Sequence, residues 1–182
     1  MPRLPPLPPQ SLTEEQRRVA ADILATRGTV GGPFAVWLRS PELAERAQLL
    51  GAFVRYHSSL PPRLLELAIL ITARLWTAQF EWAVHAPEAR AAGLPAAVID
   101  DLREGRRPAG LQADEAVIWD FVQELHATRA IADATYQRAH DLLGTRGVVD
   151  LVGICGYYTL ISMTLNVFDC DTPDGSRPLA PL

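Results

Sequence analysis

Apolar residues recur along this chain at intervals of three and four, the spacing of one helix face, and no convincing stretch alternates apolar and polar residues as a half-buried strand requires. The pattern predicts an all-α protein. Start and stop signals divide it further. Ser11 followed by Glu14 predicts a capped helix through about Ala25, ended by Gly28 and Gly31-Gly32-Pro33. Ser40-Pro41-Glu42 opens a second helix to about His57, with a hydroxyl cap, proline at the first helical position and an acid in the first turn. Pro61 and Pro62 start a third segment that Gly93 stops, and Pro95 opens a short helix ending near Gly105. Further helices are expected at 113–127 and 133–143, the latter capped by Asp133 and stopped by Gly144. The apolar run 148–168 predicts a buried central helix rather than a membrane span, since Asp150, Asn166 and several hydroxyls interrupt it.

The third segment breaks its own pattern. Residues 64–75 are apolar on nearly every face, as in a helix surrounded by protein, yet Glu66 stands among them. A buried carboxylate is costly unless paired, hydrogen-bonded or protonated. The simplest partner is Arg63, one turn earlier. In one continuous helix Glu66 and Glu81 lie fifteen residues apart, roughly 22 Å, and share nothing. If the helix breaks near Trp76-Thr77 with Thr77 capping an antiparallel second helix, Glu66 and His85 differ in axial position by only about 4.5 Å. Glu81 and His85, four apart, share a face, so all three converge in a hairpin. The plainer account is a surface pair of Glu81 with His85. Two acids and one histidine make only a weak metal signal, and no metal is expected.

Composition narrows the partners. The 182 residues suit one domain, and 48% hydrophobic with 21% charged residues excludes a disordered chain. A net charge of -4 gives no footprint for nucleic acid, and Arg103, Arg106 and Arg107 around Gly105 read as a solvated loop. The first nine residues hold five prolines and no secretory core, which predicts an extended arm at 1–10 and a cytoplasmic protein that binds neither nucleic acid nor membrane. Residues 11–170 form the expected helical domain and 171–182 a polar, proline-containing tail. Cys155 and Cys170 are neither a CxxC pair nor a metal pair, so both are expected to be structural thiols. A weak internal echo aligns LLELAIL at 64–70 with VVDLVGI at 148–154, which suggests a pseudo-repeat.

Five stretches carry a resemblance: SPEL at 40–43, SSLPPRLLELAILITAR at 58–74, EWAVH at 81–85, AAGLP at 91–95 and VVDLVGICGYYTLISMTLN at 148–166. Together they resemble the carboxymuconolactone decarboxylase superfamily, whose other branch contains the D-type alkylhydroperoxidases. The resemblance implies a single-domain helical bundle of the alkylhydroperoxidase D-like type that forms homo-oligomers. In the peroxidase branch a CxxC precedes the histidine. The corresponding positions here hold Ala78 and Glu81, so the redox dithiol is missing. Glu81-x-x-x-His85 instead looks like the decarboxylase branch, which implies cofactor-independent decarboxylation of a small lactone or acid. On that resemblance His85 is the proton donor, Glu66 orients and recharges it, and Glu81 is a second proton carrier or a donor to substrate oxygen. Arg74, Trp76 and Trp82 are the expected substrate-binding residues, Arg74 chosen over Arg39 and Arg63 for its place near the turn and alternatively paired with Asp150. Tyr157, Tyr158 and Asn166 lie on a helix that could close the site. A peroxidase-type activity and a non-enzymatic small-molecule-binding oligomer remain the alternatives.

Overall fold

A computed structural model describes residues 2–181; Met1 and Leu182, the ends of the expected arm and tail, lie outside the described residues. Eight α-helices and no strands make up the regular structure there, beside one 3-10 turn at Pro9–Ser11. Helix α1 (Glu14–Arg27) starts two residues later than Ser11 suggested. Thr13 caps it, accepting from the Gln16 amide while the Gln16 side chain accepts from the Thr13 amide. Helix α2 (Pro33–Trp37) was not anticipated, because Gly31-Gly32-Pro33 reads as a stop. Proline in fact occupies its permitted place in the first turn, and Trp37 Nε1 donates to Thr164 Oγ1 at 3.0 Å. Helix α3 (Pro41–Tyr56) follows the expected bounds, although the Ser40 side chain makes no capping bond.

Helix α4 (Pro62–Leu75) is the axis of the molecule. All eleven residues from Leu64 to Arg74 are buried, because α4 is packed by α5 (Gln79–Ala91), α6 (Ala96–Arg103), α7 (Ala113–Thr128) and α8 (Asp133–Phe168). Helix α8 bends at Gly144, whose φ of 67° and ψ of 175° interrupt it where the sequence predicted a stop. Its second half then runs straight through residues 160–161, where the echo with α4 would require a turn. This helix is long and apolar enough to cross a membrane, but 61% of its most apolar window is buried inside the protein.

Among the described residues, segments near both termini are packed against the helices. The Arg3 amide and guanidinium donate to the carbonyls of Phe168 and Val167, each at 2.9 Å. The C-terminal segment, expected as a polar tail, seats Leu179 at 3% exposure in the core. Gln79 grips the Leu179 backbone from both sides, donating to its carbonyl at 2.7 Å and accepting from its amide at 2.9 Å. The arginines near Gly105 are each paired with an acid: Arg103 with Asp100, Arg106 with Asp101 and Arg107 with Asp120.

Candidate active site

The chain does turn between Trp76 and Ala78, with Thr77 in the left-handed region at φ 48°. Thr77 is not the cap: Ala78 precedes the first turn of α5, and the Thr77 hydroxyl accepts from Arg74 Nη1 at 3.3 Å. Asn166 fixes the turn from α8, its Nδ2 donating to the Trp76 carbonyl at 2.7 Å. Folded back this way, α5 brings His85 level with Glu66. His85 Nδ1 lies 2.8 Å from Glu66 Oε2, and Nε2 lies 3.3 Å from Glu81 Oε2 on its own helix. The first is a directed hydrogen bond; the second is an ion-pair contact, and Glu81 Oε2 is left without a hydrogen-bond donor. All three side chains are buried. Arg63 is not the partner of Glu66; it ties α4 to Asp114, at 2.7 Å, and to Glu115 at the start of α7.

The charge balance of this group favours an imidazolium. Burial opposes the cation, but the hydrogen bond to Glu66, the close contact with Glu81 and the fields of both carboxylates outweigh it and raise His85 to about 9. The ring packs edge-on against Tyr158 at 5.1 Å between centres. Glu81 and His85 open onto a cavity of 270 Å³ walled by Arg27, Phe34, Arg55, Phe80, Tyr157 and Tyr158. Pro173, from the C-terminal strap, completes the wall. Phe80 can approach because residue 32 is glycine: a Cβ there would stand 2.6 Å from the Phe80 ring, at a φ of 55°. A larger hollow of 490 Å³ lies between Gln79 and the strap, but none of the three ionisable residues lines it.

Three residues expected to hold substrate lie elsewhere. Arg74 is buried with its Nε unpartnered, and burial lowers its pKa. It does not meet Asp150, which accepts from the Ser59 amide and hydroxyl at 2.8 and 2.7 Å. Trp76 lines a separate hollow with Gln123 and His126, and Trp82 is packed in the hydrophobic core. Periodicity placed Trp82 on α5 but could not say which side of α5 faces the cavity. Arg27 and Arg55 were missed, because each sits in the last turn of an outer helix, where a cation is explained by the helix dipole alone. Cys155 and Cys170 are also absent from the cavity wall. Burial raises the Cys155 thiol to about 12 and pushes Cys170 up as well. Among the described residues no group of three or more His, Cys, Asp or Glu side chains is arranged to hold a metal ion.

A family model, described as the carboxymuconolactone decarboxylase family, matches residues 41–133. None of the curated proteins matches the sequence. Solved structures of like fold include the following two. A peroxidase-related protein from Silicibacter sp. TM1040 superposes with a TM-score of 0.73 at 14% identity, covering 92% of this chain and 88% of its own. A peroxidase-related protein from Ralstonia eutropha JMP134, described as an alkylhydroperoxidase AhpD core, gives a TM-score of 0.79 at 14% identity over 100% of this chain and 98% of its own. At that identity the likeness establishes an AhpD-core-like architecture.

Proposed function

The chain belongs to the carboxymuconolactone decarboxylase family, and from that membership and its buried carboxylate–imidazole–carboxylate array we propose a cofactor-independent decarboxylase, or related proton-transfer enzyme, acting on a small lactone or carboxylic acid. The observation that carries this reading is the Glu66–His85–Glu81 array, whose His85 and Glu81 line a small aromatic cavity.

Loss of carbon dioxide from a substrate carboxylate leaves the bonding pair on carbon, delocalised as a dienolate where a lactone carbonyl is conjugated with it. His85 supplies the proton that quenches it. With its pKa near 9 it is charged at neutrality and still acidic enough to protonate such a carbanion. Glu66 accepts from Nδ1, holding the ring and stabilising its cation, so that Nε2–H is the end presented towards Glu81 and the cavity. After transfer the neutral imidazole is recharged from water, with Glu81 able to pass the proton. The walls of Phe34, Phe80 and Tyr158 limit solvation of the scissile carboxylate, which weakens the ground state relative to the delocalised transition state.

Hydroperoxide reduction is a second reading, favoured by the peroxidase descriptions of the two structures of like fold. That chemistry uses a thiolate nucleophile, and this cavity has no thiol in its wall. The deciding assay follows consumption of 4-carboxymuconolactone in the ultraviolet by the wild type and by folded His85→Ala. Turnover is expected to fall by about 10²–10⁴-fold in the variant. Hydroperoxide turnover that persists after replacing Cys155 and Cys170, without decarboxylation, would establish the second reading instead. No turnover of lactones, keto acids or hydroperoxides, with Glu66→Gln and His85→Ala simply more stable, would make the cavity a binding site only.

A further inference from the structure

Arg27 Nε, Arg27 Nη2 and the Tyr157 hydroxyl are buried donor atoms without a hydrogen-bond partner in the protein, and both residues line the 270 Å³ cavity. Such atoms are nearly always bonded, and leaving one unpaired is costly. Apart from Glu81 Oε2, the other unpartnered buried atoms, on Gln48, Arg74, His126 and Ser162, lie outside that cavity. Their concentration here marks a surface whose partner is something other than the protein itself.

Arg27 and Tyr157 form a wall of their own, where the end of α1, the middle of α3 and α8 meet. A Cβ on Gly51 would stand 2.0 Å from the Tyr157 hydroxyl and 2.5 Å from Arg27 Nη2, so only glycine lets phenol and guanidinium lie together against α3. Phe34 carries the guanidinium over its ring face at 4.4 Å, a contact that leaves its N–H groups free to bond elsewhere. Tyr157 is held edge-on between Trp37, at 6.4 Å, and Tyr158, at 5.5 Å between centres. Burial raises its phenol well above the usual range, aided by the Glu81 charge and opposed by those of Arg27 and Arg55, so it remains an O–H donor at neutral pH. From Tyr157, ring-to-ring steps of 5.5 and 5.1 Å lead through Tyr158 to His85. Arg55, the other cation in the wall, already has Glu88 at 3.6 Å.

We propose that Arg27 and Tyr157 form a clamp for a carboxylate that the substrate retains, placing its reacting carbon against His85 and Glu81. The clamp rests on reading this cavity as the reaction site, and neither of its residues lies within the family-matched stretch 41–133. A guanidinium offers two parallel N–H donors to a carboxylate, and the phenol adds a third. The cavity falls just below the roughly 300–1,000 Å³ usual for ligand sites, and Phe34, Phe80 and Ile161 make much of it apolar. Its ligand is therefore a small, flat acid with one end anionic. In a substrate with two carboxylates the clamp sets the orientation: one carboxylate is held by Arg27 and Tyr157, and the other is turned towards His85 and Glu81.

Calorimetric titration with 2-furoate and its isosteric amide 2-furamide tests the clamp, with circular dichroism confirming that each variant is folded. The wild type is expected to bind furoate at least tenfold more tightly than furamide. Arg27→Gln removes that preference by weakening furoate alone, Arg27→Lys restores part of it, and Tyr157→Phe weakens furoate by a smaller factor. His85→Gln keeps the preference, which separates the clamp from the imidazolium. Equal affinities in the wild type, no furoate binding at millimolar concentration, a preference that survives Arg27→Gln, or one abolished by His85→Gln would each overturn the proposal. An Arg27-dependent preference in a protein that decarboxylates nothing would remove the reaction and leave the clamp.

Discussion

A histidine enclosed by protein ordinarily gives up its proton, because burial penalises the cation. His85 does the opposite, since its two ring nitrogens face Glu66 and Glu81. The consequence is measurable without any substrate. Its pKa rises from 6.5 in the unfolded chain to about 9 in the folded one, so its contribution to stability is complete below pH 6.5 and disappears as pH rises through 9. By linkage the loss amounts to up to about 3 kcal/mol. Urea unfolding at pH 6 and pH 9.5 should show that decline in the wild type and a much smaller one in His85→Gln; equal declines would mean that the array holds no imidazolium. These residues were legible in the sequence because a charged group in an apolar helix stands out, and because helical spacing fixes which groups can meet. Arg27 was not legible, since nothing local distinguishes a cation facing a cavity from one facing water.

At the scale of elements, capping and proline signals located most helices but not their closures. The sequence allows a break near Trp76-Thr77 without requiring one; the chain does turn there into the α4–α5 hairpin, with Thr77 supplying a left-handed residue rather than a cap. Helix α2 escaped notice because the same Gly-Gly-Pro signature marks an end and a beginning. Gly144 interrupts α8 where its sequence predicts a stop, and its conformation is specific. Its φ of 67° with ψ of 175° is a region essentially reserved for glycine, and a Cβ there would meet no neighbouring atom. The cost of Gly144→Ala therefore comes from backbone strain alone and should be about 1–3 kcal/mol in urea unfolding, with no cavity or clash contribution. A cost near zero would mean that the α8 bend relaxes easily, and the straightened helix would show it in the ellipticity at 222 nm.

For the molecule as a whole, the least legible feature is the C-terminal strap. Its composition, Asp-Thr-Pro-Asp-Gly-Ser-Arg-Pro, is that of a solvated tail, and only the folded chain brings Gln79 to the Leu179 backbone one hundred residues away. Once docked, the strap adds Pro173 to the wall of the 270 Å³ cavity, so packing near the chain end and the shape of that cavity are coupled. The burial of Leu179 is worth roughly 1.5–3 kcal/mol and each Gln79 bond about 1 kcal/mol. If the strap docks as one unit, either substitution releases all of it. Gln79→Ala and Leu179→Ala should then each destabilise the protein by about 1–3 kcal/mol, while the double variant costs less than their sum by at least about 0.5 kcal/mol. Strict additivity would show that the two contacts act separately. The same three variants should raise KM for any substrate of the cavity to a similar extent, because each loses Pro173 from the wall along with the strap.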